Sequence, residues 1–219
     1  MNKIEKLYVK DFYDTIADSW INIRQKFKIL EKFKHLKNKK ILEVGCGTAT
    51  QLLEFEGNFL VGIDISKKMI KYALENSKKK NIKLFLLIAD ARKLPFKQNS
   101  FEFVLSIATI HHIYKRKDRI KALLEILRVC KDSCLISVLK RYSSLTIKKL
   151  FVDFFRFFSF GNIFLEWNYR GKRLKRFYHT YSLRELKKDL EILKKFYNNI
   201  SYNIFQDKLN YFILIKKEY

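Results

Sequence analysis

Acidic residues are scarce in this chain: 22 Asp and Glu stand against 46 Lys and Arg, a formal net charge of +24 over 219 residues. Proline occurs once, cysteine three times and glycine six times. Three cysteines exclude a disulfide framework and favour a reducing compartment, so the expected location is cytoplasmic. The opening MNKIEKLYVKDFYD lacks the apolar run of a secretory signal. The Phe-rich stretch LFVDFFRFFSF (150–160) is broken by Asp153 and Arg156, which excludes a transmembrane helix. Its Phe151, Phe154, Phe155 and Phe158 recur at helical spacing and predict an amphipathic segment packed on the core. Internal repeats and low-complexity linkers are absent as well. With 48% hydrophobic residues the chain is no disordered polycation, because disorder needs low hydrophobicity together with high charge. At this length one domain, 1–219, is expected, burying roughly 70% of the surface its unfolded chain exposes.

A charge of +24 points to a polyanionic partner, nucleic acid foremost. Part of it is compositional: 35 lysines, 20 phenylalanines and long Lys/Ile/Asn/Phe runs fit a bias toward A/T-rich codons, which raises lysine everywhere. The distribution says more. Residues 1–40 hold 11 basic and 5 acidic groups, 41–140 hold 18 and 10, and 141–219 hold 17 and 7, so the middle is the least basic per residue. Two clusters stand out. KFKILEKFKHLKNKK (26–40) has seven lysines against one glutamate, and NYRGKRLKRF (168–177) has five basic residues, no acid and aromatics at each end. Aromatic rings and Arg stack on unpaired bases while lysines meet phosphates.

Apolar runs alternate with segments of helical period, the pattern of a βα sheet protein. Strands are expected at 40–44, 59–64, 83–90, 101–107 and 134–139, and a terminal hairpin at 202–206 and 211–216. Helices are expected at 5–20, 49–55, 67–79, 117–129 and 182–196, with Ser66 and Ser182 as N-caps and Glu185 at capping-box spacing from Ser182. The first five strands are nearly continuous apolar runs, as parallel strands covered on both faces require. The stretch 141–181 breaks this rhythm and reads as an insertion on the substrate side, while 1–36 reads as an N-terminal helical lid.

The segment ILEVGCGTAT (41–50) is a strand, a glycine turn and a helix start. Gly45 and Gly47 let the backbone turn tightly and approach a ligand with no Cβ in the way. A dinucleotide site would want G-x-G-x-x-G, but Ala49 and Thr50 stand where further glycines would be, and Glu43 would repel a pyrophosphate. A cationic ligand suits this carboxylate. Asp64 ends the second strand, where it can accept both ribose hydroxyls, and Asp90 ends the third, where it can accept from an adenine amino group. Cys130 and Cys134 have no further ligands near them in sequence and read as ordinary thiols, so no metal is expected.

Glu43-x-Gly45-x-Gly47, Asp64, Asp90 and the run ADARKLPFKQNSFEFVLSI (89–107) resemble the class I S-adenosylmethionine (SAM)-dependent methyltransferases. The resemblance implies an α/β, Rossmann-like fold: a seven-stranded, mostly parallel sheet in the order 3-2-1-4-5-7-6, helices on both faces and the seventh strand antiparallel. It implies SAM as cofactor, with Glu43, Gly45, Cys46 and Gly47 around the methionine moiety, Asp64 and Ile65 at the ribose, Asp90 and Ala91 at the adenine, and Tyr13 and Ser106 completing the site. Glu102 replaces the usual Asp, Ala49 a frequent glycine, and Lys131–Cys134 the loop K-P-G-G.

Further motifs, SIATIHHI (106–113), EILRV (125–129), FLEW (164–167), RFYHTYSLREL (176–186) and YDTIADSWINIRQKFKILEKF (13–33), resemble the tRNA wobble-uridine carboxymethyl methyltransferases, which esterify the carboxylate of 5-carboxymethyluridine. Glu166 stands where that family has proline. The resemblance places His111, His112, Arg176 and Tyr178 as catalytic groups orienting the carboxylate or the uracil ring. Arg24, Lys26, Arg170, Lys172, Arg173, Lys175 and His179 become candidate contacts to tRNA. A carboxylate with a pKa near ~4 is already an anion at neutral pH, so the reaction needs alignment and exclusion of water rather than a strong base. The resemblance also implies a small zinc-binding activator subunit on the edge of the third strand (82–90), and no membrane. Two other readings remain: a methyltransferase of a quinone or lipid precursor, with a closed apolar pocket lined by the Phe-rich insertion, and a methyltransferase-like binding module without turnover.

Overall fold

In a computed structural model, the described residues are 1–23, 27–143, 145–146 and 160–218, with the side chains of 21–23 left out. The Phe-rich positions Phe151, Phe154, Phe155 and Phe158 lie outside them, as do Arg24 and Lys26.

The sheet is built from β1 (Lys40–Val44), β2 (Phe59–Asp64), β3 (Leu84–Ile88), β4 (Phe101–Ser106), β5 (Cys130–Leu139) and a terminal pair, β8 (Ile200–Gln206) and β9 (Asn210–Lys217). Its order is β3-β2-β1-β4-β5-β9-β8. Strands β1 to β5 run parallel, and β9 is antiparallel to both β5 and β8. This is the expected order, 3-2-1-4-5-7-6, once two further strands, β6 (Asn162–Tyr169) and β7 (Lys172–His179), are counted. They form a separate antiparallel hairpin that the sequence reading did not foresee within 141–181. The hairpin closes through Arg170 and Gly171, both at positive φ (49° and 75°), a two-residue turn whose twist matches that of the strands it joins.

Helices α3 (Lys67–Lys79), α4 (Arg116–Val129) and α5 (Leu183–Phe196) cover the sheet. Ser66 accepts from Met69 N at 3.1 Å and Ser182 from Glu185 N at 3.2 Å, each satisfying a donor at its helix start. The segment expected as a helix at 49–55 is reduced to a 3-10 turn, Leu52–Glu54. The N-terminal lid is a short turn α1 (Lys3–Glu5), a π-helical stretch (Lys6–Lys10) and α2 (Asp11–Ile23).

One apolar cluster, which includes Val44, Ile63, Val104, Ile126, Ile136 and Leu190, fills the face under α4 and α5. Another, with Ile41, Leu60, Phe103 and Leu135, fills the opposite face. Cys130 and Cys134 are buried in β5. A small cluster fixes the lid: Phe12, Ile16, Ala17 and Trp20 of α2 meet Met69 and Tyr72 of α3 on one side and Trp167, Tyr169 and Leu174 of the hairpin on the other. Helix α2 thus bridges the sheet's first helix layer and the inserted hairpin. Among the described residues no helix is long and apolar enough to cross a membrane.

Candidate active site

At the C-terminal ends of the parallel strands the chain leaves a cleft of about 780 Å³, where ligands of open α/β sheets bind. Gly45, Gly47, Asp64, Ile65, Asp90, Ala91 and Tyr13 all line it, as the sequence reading expected. Gly45 (φ 73°) cannot be replaced: a Cβ there would fall 2.3 Å from Thr109 Cγ2 and Oγ1. A Cβ on Gly47 (φ 54°) would occupy the space beside the Trp20 indole, 3.8 Å away, so the turn keeps a backbone-lined cradle open. Ala49 holds φ 59°, so the turn preserves a glycine-like conformation despite a Cβ, at a cost of about 1–2 kcal/mol. Asp64 braces this cradle, accepting from Gly47 N and Ser66 N, both at 2.9 Å.

Three expected cofactor residues sit behind the cleft rather than in it. Glu43 is fully buried and accepts from Leu52 N at 3.1 Å, tying the strand to the turn that follows. Cys46 packs on β2, and a Cβ on Gly62 would lie 2.9 Å from its Sγ. Ser106 is fully buried at the end of β4.

The lid closes the other wall. Met1, Glu5 and Val9 line the cleft, and Arg92 joins Glu5 (2.9 Å) to Asp90 (Nε–Oδ1 2.9 Å, Nη2–Oδ2 2.5 Å). Burial pushes the Asp90 carboxyl up, but the Arg92 bonds outweigh it and hold Asp90 below the usual carboxylate range. Glu5 also accepts from Tyr114 N at 2.9 Å, so the sequence-remote lid is clipped to both ends of the cleft. The sequence reading named Asp90 but neither Glu5 nor Arg92.

A second, open cleft of about 1690 Å³ adjoins the first. Tyr13, Trp20, Ala108 and His112 line both and form the wall between them. His111, Arg176 and Tyr178 line only the second, with Lys28 and Lys32 beside them. His112 Nδ1 lies 2.8 Å from Phe177 O, an acceptor, so Nδ1 carries the proton and Nε2 accepts from Tyr13 Oη at 2.9 Å. Arg176 Nη1 donates to Tyr13 Oη at 3.2 Å. A directed chain therefore runs from Arg176 through Tyr13 to His112. His111 accepts from Leu139 N at 3.0 Å, and both imidazoles pack against the Tyr178 ring, at 5.1 and 4.6 Å.

Arg176 is the unusual group. It is 9% exposed and forms no ion pair with a carboxylate among the described residues. Its Nε has no hydrogen-bond partner among them either. Instead its guanidinium lies 4.6–5.8 Å from the rings of Phe12, Tyr13, Trp20, Trp167 and Tyr178. Burial opposes its charge, yet Tyr13 and Tyr178 more than offset that and keep it protonated. Buried cations are normally paired with a carboxylate, and among the described residues this guanidinium has aromatic rings and the Tyr13 hydroxyl in that place. Three cage rings come from α2 and one from β6, so no local motif could announce it.

The basic residues divide. Arg170, Lys172, Arg173 and Lys175 are exposed on the hairpin. Arg170 meets Asp18 at 2.6 Å and Tyr169 donates to the same carboxylate at 2.7 Å, fastening the hairpin to the lid. His179, expected to face nucleic acid, is buried: Nε2 donates to Glu185 Oε1 at 2.7 Å and Nδ1 faces the Asn162 amide at 2.7 Å. Burial, against the pull of Glu185, lowers its pKa to about 4, which makes it a neutral brace between β7 and α5 rather than a phosphate contact.

Residues 42–138 match the family model described as a methyltransferase domain. Residues 42–138 carry a methyltransferase domain, and the whole has the fold of the class I SAM-dependent methyltransferases. Among curated relatives, this methyltransferase is 33% identical over 132 residues to a tRNA (carboxymethyluridine(34)-5-O)-methyltransferase of Arabidopsis thaliana, covering 59% of the present chain and 31% of that one. It is 35% identical over 137 residues to a ubiquinone biosynthesis O-methyltransferase of Pelagibacter ubique, covering 52% and 56%. The methyltransferase thus spans about a third of the first relative and about half of the second. A solved SAM-dependent methyltransferase of Methanosarcina mazei superposes with a TM-score of 0.72 at 20% identity, covering 88% of this chain and 97% of that one.

Proposed function

We propose that this methyltransferase esterifies the carboxylate of 5-carboxymethyluridine at the wobble position of tRNA. The observation that carries the reading is Arg176: a buried guanidinium with no carboxylate partner among the described residues, lining an open, basic second cleft that adjoins the first. The likeness to wobble-uridine methyltransferases supports the tRNA acceptor. Lys28 and Lys32, which line the second cleft with Arg176, favour a polyanion over a neutral quinone.

The residues present fit SAM. Gly45 and Gly47 leave a cradle that a Cβ would fill, Asp64 faces the position of ribose hydroxyls, and Asp90 with Ala91 lies where the adenine would rest. When bound, SAM supplies an electrophilic methyl on a sulfonium. The chain's own task is placement. Arg176 grips the acceptor carboxylate through its free donors, while Tyr13, bonded to Arg176 and His112, fixes the angle of the guanidinium. The Tyr178 ring, with His111 and His112 tilted against it, backs the guanidinium and holds it at the second cleft. Trp20 and Tyr13 exclude water from the transfer point, which leaves the carboxylate less solvated and more nucleophilic. No proton moves in this step, consistent with a His112 whose Nε2 is already occupied by Tyr13. Arg170, Lys172, Arg173 and Lys175 on the hairpin, with Lys28 and Lys32 at the cleft, meet the RNA backbone.

The third-strand edge supports a partner. Phe85, Leu87 and Ile88 are 39%, 38% and 56% exposed, and β3 has an open backbone edge that proteins normally cover. A small zinc-binding activator subunit pairing with this edge fits the pattern; a fully active monomer when purified alone would count against it.

The test is mass analysis of wobble nucleosides after incubating carboxymethylated tRNA with enzyme and SAM. Appearance of the methyl ester is expected. Methylation of a quinone precursor with none of tRNA would overturn the reading.

A further inference from the structure

We propose that the groove between α4 and α5 is a second grip on the RNA backbone, taking phosphates away from the reacting base. This rests on the tRNA reading above and extends it to a surface that the hairpin and the cleft do not include.

The groove is shallow and open and is lined by Arg116 from the start of α4 and by Arg184, Lys187, Lys188, Glu191, Ile192 and Lys195 from α5. By sequence α5 looks only mildly basic, with five basic and three acidic residues. The fold separates these charges. Glu185 turns inward, where His179 Nε2 donates to it at 2.7 Å and Arg141 also binds it. Asp189 is fully buried and held by Arg116 at 2.7 Å. That leaves Glu191 as the one acid of α5 on the groove, and its carboxylate already accepts from Tyr202 at 3.0 Å.

Arg184, Lys187, Lys188 and Lys195 lie at i, i+3, i+4 and i+11, one stripe of the helix. All four are exposed, and none forms an ion pair among the described residues. A few lysines elsewhere find acids, as Lys10 finds Asp14 at 2.8 Å and Lys34 finds Glu31 at 2.8 Å; what sets the stripe apart is four such cations along one helix around one concavity. A cluster of unpaired cations around a concavity repels itself, and a polyanion relieves that repulsion.

Position links the groove to the chemistry. Helix α4 begins just after the His111–His112 turn and α5 just after β7, which carries Arg176 and Tyr178. Both helix starts therefore lie at the strand ends that carry the site. The stripe runs away from there along the eleven residues from Arg184 to Lys195, roughly 16 Å of helix. An RNA with its wobble base at Arg176 has backbone on both sides of that base, and the groove offers one side a basic track.

The decisive variant is Lys187→Gln with Lys188→Gln and Lys195→Gln. Arg116 is left in place because it pairs with buried Asp189. A control of equal charge, Lys78→Gln with Lys79→Gln and Lys97→Gln, removes three exposed lysines elsewhere. Binding of an unmodified tRNA transcript is followed by fluorescence anisotropy from 50 to 200 mM salt. Each phosphate contact contributes about 0.7–0.9 to the log–log salt slope. The groove variant is expected to lower that slope by about 2 and to weaken binding at least tenfold at 100 mM salt, with kcat at saturating tRNA unchanged and the control near wild type. Equal losses in variant and control, or no loss in either while wild type methylates tRNA, would overturn the groove proposal and leave the tRNA reading standing. A wild-type enzyme that neither binds nor methylates tRNA would overturn both.

Discussion

Replacing Arg176 with Met separates binding from folding in a way few buried charges allow. Burying a cation costs several kcal/mol. Here that cost is met without a carboxylate: the five surrounding rings contribute about 0.5–2 kcal/mol each where well placed, and the bond to Tyr13 about 1.5–3 kcal/mol. The terms nearly cancel, so a Met filling the same cage is expected to change stability by no more than about 1 kcal/mol, or about 2–4 °C in Tm. Acceptor binding is a different matter. Losing a charge-assisted bond to a buried carboxylate removes about 2–3 kcal/mol, a factor of ~30–150. The acceptor's negative charge is greatest before transfer and fades as it meets the sulfonium, so the guanidinium holds the ground state at least as tightly as the transition state. The loss should therefore appear in KM for tRNA, with kcat within about fivefold. Arg176→Lys should fall between, since an ammonium keeps the charge but not the planar fork. Steady-state kinetics on carboxymethylated tRNA and a thermal melt of each variant decide it. An unchanged KM, or a melt lowered by more than about 10 °C, would show that Arg176 is a structural post and not a carboxylate grip.

Tyr13→Phe should raise KM for tRNA about tenfold while leaving SAM affinity by calorimetry within twofold, because the lost hydroxyl aims Arg176 across the wall. Gly45→Ala should abolish measurable SAM binding, as its Cβ would overlap Thr109; binding within threefold of wild type would remove the turn from the cofactor site. Glu5→Gln should speed SAM dissociation in stopped flow, since it weakens the Arg92 clip that shuts the lid. The His179 pKa falls from 6.5 to about 4 on folding, so the unfolded chain binds the extra proton first. Its share of stability is complete above pH 6.5 and lost as pH falls toward 4. In urea melts His179→Gln should flatten the wild-type decline between those values.

The parallel strands were legible because β-branched apolar runs end abruptly at Gly, Asp and Ser, and β1, β2 and α3 fall on their expected residues. The β6–β7 hairpin was not, although its evidence was present: exposed Glu166, Asn168 and Arg170 alternate with half-buried Leu165, Trp167 and Tyr169 before an Arg-Gly turn. A two-stranded hairpin has little stability of its own, and this one is made by packing on α2, a partner more than 130 residues earlier. The same holds for the site. Gly45, Gly47, Asp64 and Asp90 belong to one local pattern and fell together in the cleft. Glu43, Cys46 and Ser106 belong to it too, but they are buried behind the wall, Glu43 by its bond to Leu52 N and Cys46 by packing on β2. The Arg176 cage draws on residues 12, 13, 20, 167 and 178, and only tertiary structure could assemble it.

That split has a consequence during synthesis. Every side chain lining the cofactor cleft comes from residues 1–113, whereas the second cleft draws on residues up to Phe212. Chains emerge from the ribosome N-terminus first and fold as they emerge. The described residues that line the first cleft are therefore made well before the Arg176 guanidinium proposed to grip the acceptor beside it.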